Sequence, residues 1–359
     1  MNDEGAGRRA EIFLERALRI TVTAALVVVG IALGREVRAQ GAGVLNLYSA
    51  RHYQTDEALY ENFTKQTGIK INRIELGDEQ LLQRLRSEGV NSPADVVLLV
   101  DAARLWSAQS DGLFQATESK ILHQRIPAHL RSSDNTWFGF STRARVIVYN
   151  RDTVKAEDVD TYEELAEAKN KGKVCTRSGS HPYMLSLLGS MVQRSGEGAA
   201  ETWARGMVAN MARAPKGGDT DQLRGVAAGE CGVALTNSYY WVRLLRSQDA
   251  KDRDVVRKVG FVWPNQATSG THVNVSGGAV AKNAPNRANA VAFLEYLSSA
   301  EAQGYFANGN NEWPAVKGAV AANPALESLG KFKADELPIA AIGKSIAPAQ
   351  KILDRVGYQ

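Results

Sequence analysis

The sequence predicts an α/β protein of two lobes, each a mixed sheet flanked by helices, joined by two extended crossovers. Three observations carry this. From Val44 onward, strand-like and helix-like runs alternate, as βαβ units do. The run Trp137–Asn150 then breaks the alternation, being long for one strand. A second extended run, Lys258–Pro264, comes after another α/β stretch and reads as the return path. Two lobes tied by two crossovers is the layout of a hinged binding protein.

Each element follows from local chemistry. Val44–Ser49 is a strand. Leu59 and Phe63 recur at helical spacing over Thr55–Gln66, and Gly68 supplies the stop. Ile69–Glu75 is a short strand. Leu81, Leu82 and Leu85 mark a helix over Asp78–Glu88, ended by Gly89. Ala94–Val100 is an apolar run of strand length, as expected of a strand covered on both faces. Thr161-Tyr-Glu-Glu164 is a capping box predicting a helix. Pro182 suits the first turn of a helix carrying Leu185, Leu188 and Val192. Asp221–Glu230 is a further helix feeding the strand that follows Cys231. Thr271–Val280 alternates as a strand, and Ala288–Ser298 is a helix. The expected division is residues 1–39 as a signal, 40–142 with 266–312 as lobe one, and 143–265 with 313–359 as lobe two.

Composition excludes several classes. Hydrophobic content of 44% and charged content of 23% allow real cores and argue against disorder. The net charge of +4 is spread thinly, with no basic block interleaved with aromatics, so nucleic-acid binding has no support. Arg8, Arg9, Arg16 and Arg19 precede the apolar run Ile20–Leu33, which as a helix spans roughly 21 Å, short of the ~30 Å hydrocarbon core. Val37-Arg-Ala39 offers small residues at cleavage spacing. The segment reads as an export signal to the periplasm, with an uncleaved membrane anchor as the alternative. Arg8-Arg9 is set too far from Phe13-Leu14 for a tight twin-arginine motif, which favours the Sec route. In an oxidising compartment, Cys175 and Cys231, each eight residues before a tyrosine, read as a disulfide.

The candidate site comes from placement. His52 and Tyr53, Tyr183, and the pair Tyr239-Tyr240 all lie just past the carboxyl ends of expected strands, the edge where open α/β sheets collect ligands. Tyr149, Tyr162, Tyr296 and Tyr305 are assigned to packing, and Tyr60 to a helix face. Adjacent residues diverge by about 100° on a helix and about 180° on a strand. Tyr239 and Tyr240 therefore need an irregular strand-to-helix junction, which Thr236-Asn-Ser238 supplies. A free phenol ionises near pH 10, so four phenolates beside an imidazole call for a hard, highly charged cation, and iron(III) fits. Arg243 stands one helical turn after Tyr240, placed to neutralise surplus phenolate charge. Arg143 and Arg145, on the first crossover, are placed to hold a carbonate or other anion. His181 could cap the helix of Tyr183, and His272 is structural. No Gly-x-Ser-x-Gly elbow, glycine-rich phosphate loop or His-Glu-x-x-His motif supports an enzyme. The rival readings are a binder of an organic or anionic solute, an iron buffer, and a secreted enzyme using Cys175 and His181.

The segments Leu45-Asn-Leu-Tyr-Ser-Ala-Arg-His-Tyr53, Ser92-Pro-Ala-Asp95, Trp137-Phe-Gly-Phe-Ser-Thr-Arg-Ala-Arg-Val146, Asn237-Ser-Tyr-Tyr240, Gly270-Thr-His-Val-Asn-Val-Ser276 and Asn310-Asn-Glu-Trp-Pro314 go further. Through them the chain resembles the periplasmic ferric-iron-binding proteins of bacterial ABC importers, in the branch found in cyanobacteria and many proteobacteria. The resemblance implies a type II periplasmic-binding fold closing on one iron(III), with carbonate or water as possible co-ligand. It implies ligand roles for His52, Tyr53, Tyr183, Tyr239 and Tyr240, and a place near the metal for Arg243. It also implies a monomer that serves an inner-membrane permease and its ATPase. Trp313 departs from the pattern, where a tyrosine is expected.

Overall fold

The computed structural model describes residues 43–51, 55–320 and 322–359. The expected signal, residues 1–39, lies outside the described residues, as do His52 and Tyr53. Among the described residues no helix is long and apolar enough to cross a membrane.

The first lobe opens with β1 (Val44–Ser49), α1 (Asp56–Thr67), β2 (Lys70–Glu75), α2 (Asp78–Glu88), β3 (Val96–Val100), α3 (Ala102–Ser110) and α4 (Lys120–Arg125). β1 lies parallel to β2 on one side and β3 on the other. Every residue of β3 is buried, as its apolar run requires of a strand covered on both faces. α1 buries Leu59, Tyr60 and Phe63 and stops at Gly68, whose φ of 75° a side chain would oppose.

β4 (Phe138–Asn150) is the crossover. Its first half, Phe138–Ala144, pairs with β8 (Val273–Val280) in the first sheet. From Arg145 it pairs with β6 (Val233–Asn237), and from Ile147 with β7 (Val259–Val262), in the second. One strand thus belongs to both sheets, and the change of partner falls between Ala144 and Arg145. The return differs from expectation: β7 is an ordinary strand of the second sheet, and the chain passes back through the residues between Val262 and Val273. Tyr162, assigned to packing, fastens the two crossings together. Its hydroxyl donates to the Arg145 carbonyl at 2.5 Å and accepts from the His272 amide at 3.1 Å.

The second lobe holds β5 (Val174–Cys175), α5 (Pro182–Asn210), α6 (Asp219–Ala227), α7 (Ser238–Arg246) and α8 (Ala250–Lys258). The capping box at Thr161 forms, with Thr161 and Glu164 exchanging hydrogen bonds at 3.0 and 3.2 Å. The helix it was expected to start is only a 3₁₀ turn, Glu163–Ala166. The backbone turns extended at Glu167, with ψ 149°, and Asn210 Nδ2 donates to the Leu165 and Glu167 carbonyls at 2.9 and 2.6 Å, holding the segment in that path. α9 (Arg287–Leu297) and α10 (Ala300–Asn310) return to the first lobe. β9 (Trp313–Pro314) then pairs with Ser141 and Thr142 of β4. α11 (Pro324–Glu327), α12 (Ile339–Lys344) and α13 (Ile346–Val356) complete the chain. Residues 313–359, expected with the second lobe, are in fact shared. Ala315, Ile339 and Ile342 join the first core, while Ala349, Ile352, Leu353 and Tyr358 join the second. Trp313, half-buried, packs edge-on against Trp263 and Phe332 beside the crossings.

Cys175 and Cys231 are disulfide-bonded across 56 residues of sequence. Closing a loop of that size restricts the unfolded chain by an amount worth about 4 kcal/mol. Replacing both cysteines by alanine is expected to lower unfolding free energy in urea by roughly 2–4 kcal/mol. An unchanged urea midpoint would show that the bridge contributes nothing to stability.

Candidate metal centre

The tyrosine pair sits where the sequence placed it, at a strand-to-helix junction. β6 ends at Asn237, whose amide donates to Asp219 Oδ2 at 2.7 Å, and α7 begins at once. Ser238 Oγ accepts from the Ala144 amide at 3.2 Å, fixing the start of α7 to the crossover. Tyr239 and Tyr240 occupy the first turn with ring centroids 4.2 Å apart. Tyr239 is buried and Tyr240 half-buried.

Tyr183 reaches the same place from α5. Pro182 opens that helix, and His181 Nδ1 accepts from the Tyr183 amide at 3.2 Å. Burial above all, then Arg177, Arg145 and Arg104, push the His181 imidazole down to about 3. It is therefore neutral at pH 7, as an Nδ1 acceptor must be. Its ring stands edge-on to that of Tyr183 at 4.4 Å. The Tyr183 and Tyr239 hydroxyls lie 3.1 Å apart. Two phenol oxygens separated by 56 positions thus share one point, each at the first turn of a helix, where exposed N–H groups favour negative charge.

Cations surround these rings. The Arg243 guanidinium is 5.2 Å from the Tyr240 centroid and 5.9 Å from that of Tyr239. Arg177 and Arg145 lie 5.0 and 5.8 Å from the Tyr183 centroid. Both of these pair with the fully buried Asp219, at 3.2 and 2.6 Å. Arg145 also donates to Asn237 Oδ1 at 3.1 Å, so it buttresses the start of α7 and is held by protein groups. Among the described residues no three His, Cys, Asp or Glu side chains gather as a metal site; the converging oxygens here are phenolic.

His52 and Tyr53 lie outside the described residues, but their flanks are well anchored. Arg51 Nε pairs with Asp56 at 2.8 Å and Arg51 Nη1 with Glu312 at 3.4 Å. Glu312 also accepts from Ser141 Oγ at 2.7 Å. Arg143, the candidate anion holder, joins this buried network through Glu312 at 3.6 Å and Ser276 Oγ at 2.8 Å. At the far end of α7, Arg246 donates to the Asn308 carbonyl and Asn311 Oδ1, both at 2.6 Å, bridging to α10 of the first lobe. Sequence reasoning missed Asp219, Glu312 and Tyr358. Tyr358 donates to Thr176 Oγ1 at 2.8 Å, and the Gln359 carbonyl accepts from the Gly179 amide at 2.8 Å, so the last two residues brace the loop before Tyr183. Glu312 did stand inside the segment Asn310–Pro314; Asp219 and Tyr358 carried no local signal.

His272 is buried, and neither ring nitrogen has a hydrogen-bond partner among the described residues. Burial pushes it down to about 4, with Arg145 and Arg194 adding to the shift and Asp335 opposing it. The unfolded chain takes up a proton near pH 6.5 while the folded one does not. This group's contribution to stability is therefore intact above pH 6.5 and falls away toward pH 4, by roughly 3 kcal/mol. Asp101 works in the opposite sense. Burial pushes its carboxyl up to about 6, so its folded form gains a proton first as pH falls. Urea unfolding of a His272→Phe variant between pH 7 and 4 is expected to show less acid destabilisation than the parent. Parallel curves would contradict this.

Known proteins resemble this chain along most of its length. Iron uptake protein A1 of Synechocystis sp. is 50% identical over 315 residues, covering 88% of this chain and 87% of that protein. Among solved structures, a Trichodesmium protein in complex with iron and citrate ligands superposes with a TM-score of 0.85 at 51% identity, covering 88% of this chain and 100% of that one. A ferric binding protein from Campylobacter jejuni gives 0.83 at 40%, with 88% and 100% coverage. The fold is that of the type II periplasmic binding proteins. The model of the family described as bacterial extracellular solute-binding protein matches residues 58–335, and the chain belongs to that family.

Proposed function

We propose that this protein is a periplasmic solute-binding protein that captures iron(III) between its lobes and delivers it to an ABC-type permease and its ATPase, without catalysis. The observation that carries the reading is the 3.1 Å approach of the Tyr183 and Tyr239 hydroxyls, with the Tyr240 ring 4.2 Å from that of Tyr239. In this reading Tyr183, Tyr239 and Tyr240 bind as phenolates from the second lobe, and His52 and Tyr53 close on the ion from the first. Three phenolates balance three positive charges. A fourth leaves one negative charge, which Arg243 offsets from its place over the tyrosine pair. The same donors around iron(II) leave one more uncompensated charge, so reduction loosens the ion. Acid also releases it, because protons compete for every donor. The relatives named for iron uptake and ferric binding support the cargo. The N-terminal signal, read from sequence, supports export by the Sec route, and in this reading the protein acts as a monomer.

Titrating the mature protein with ferric citrate tests this. A visible phenolate-to-iron band that saturates at one iron per chain is expected, and its absence would contradict the proposal. An organic-solute binder would give no such band.

A further inference from the structure

One buried carboxylate lies outside the roles assigned so far. Asp101 stands at the turn from β3 into α3 with φ 101° and ψ 141°, a conformation that opposes any side chain. Such strain persists only where the surroundings over-determine it. Here they do. Asp101 Oδ1 accepts from the Ala103 amide at 2.8 Å and from Ser186 Oγ at 2.5 Å. Oδ2 accepts from Asn274 Nδ2 at 2.8 Å. The Asp101 amide donates to the Val275 carbonyl at 2.9 Å, and Asn274 Oδ1 accepts from the Ala102 amide at 2.8 Å. Asp101 and Ser186 are both fully buried. This one side chain therefore touches three bodies: the start of a first-lobe helix, the strand β8 at the crossings, and α5 of the second lobe. Ser186 lies three residues after Tyr183, one helical turn along α5. An N-capping aspartate needs only the Ala103 amide. The strained backbone and the bond to the opposite lobe are unexplained by capping.

We propose that Asp101 is a positioning residue for iron capture: through Ser186 it sets the first turn of α5, and with it the Tyr183 phenol, relative to the first lobe. This rests on the reading of Tyr183 as an iron ligand. Lobe closure then reaches Tyr183 through a rigid polar link as well as through the ion itself. Loss of the link leaves the phenol present but less well held.

The experiment follows the visible band of the iron-loaded protein as excess citrate removes iron. Variants are Ser186→Ala, Asp101→Gly, the double variant, and Ser186→Ala on a Tyr183→Phe background. Ser186→Ala is expected to release iron about tenfold faster, the low end of what loss of an outer partner of a metal ligand costs. Its thermal midpoint without iron should stay close to the parent's. The double variant should release no faster than Asp101→Gly alone, since glycine removes the acceptor and suits the backbone there, and Ser186→Ala should have no effect once Tyr183 is phenylalanine. Release from Ser186→Ala within twofold of the parent, or an undiminished effect on the Tyr183→Phe background, overturns the proposal while leaving iron binding in place. A parent that develops no band with ferric citrate overturns both readings.

Discussion

Replacing Tyr239 and Tyr240 together by phenylalanine is expected to abolish tight iron(III) binding and leave the fold intact. The rings keep their volume, so the packing around the buried Tyr239 and the 4.2 Å ring contact survive. Only two oxygens are lost. One of them faces Tyr183 at 3.1 Å, a contact whose loss costs about 1 kcal/mol of stability. Binding suffers far more. Even outer partners of metal ligands are worth roughly 10–100-fold in affinity, so removing two anionic donors should cost more than about 100-fold. The charge balance fails as well, since two fewer phenolates face a trivalent ion with Arg243 still over the rings. Competition with citrate, read by absorbance, measures this. A double variant that holds iron as tightly as the parent contradicts the assignment.

The largest stability effect is expected at Asp219. Its carboxylate is fully buried and holds two arginines and the amide that starts α7. Asp219→Ala strands Arg145, whose side chain is 1% exposed, without its counter-charge. Removing one partner of a buried ion pair costs about 3–5 kcal/mol, because the remaining charge stays desolvated. Arg145 keeps its bonds to Asn237 Oδ1 and the Leu235 carbonyl, which soften the loss without replacing the charge. Urea unfolding should report a loss in that range, together with weaker iron binding as both tyrosine-bearing helices loosen. A change below about 1 kcal/mol, the value of an exposed pair, would show that Asp219 is not the anchor described.

Much of this could be read from the chain because the informative features are local. The strand-to-helix junction at Thr236-Asn-Ser238, the proline at the start of α5 and the apolar run of β3 declare themselves within a few residues. The over-long run Trp137–Asn150 announced the strand that serves both sheets. What escaped is what depends on partners far apart in sequence. Nothing around Thr161 shows that Asn210 will bond to the Leu165 and Glu167 carbonyls from 45 and 43 positions away. Nothing around Val259 shows that β7 stays with β4 before the chain crosses back. Asp219, Glu312 and Tyr358 look like ordinary surface residues until the fold buries them. Arg143 and Arg145 were recognised as cleft residues, but their carboxylate partners lie 169 and 74 positions away, beyond any local pattern. The tyrosines are proposed from shared position at strand ends, a regularity of the architecture that needs no knowledge of contacts.

The most direct test is the crystal structure of the iron-loaded protein, with the metal located by its anomalous scattering. One iron is expected in the inter-lobe cleft, bound by the phenolate oxygens of Tyr183, Tyr239 and Tyr240 and by groups of His52 and Tyr53. Iron elsewhere, or iron in the cleft with those phenols outside bonding distance, would contradict the account.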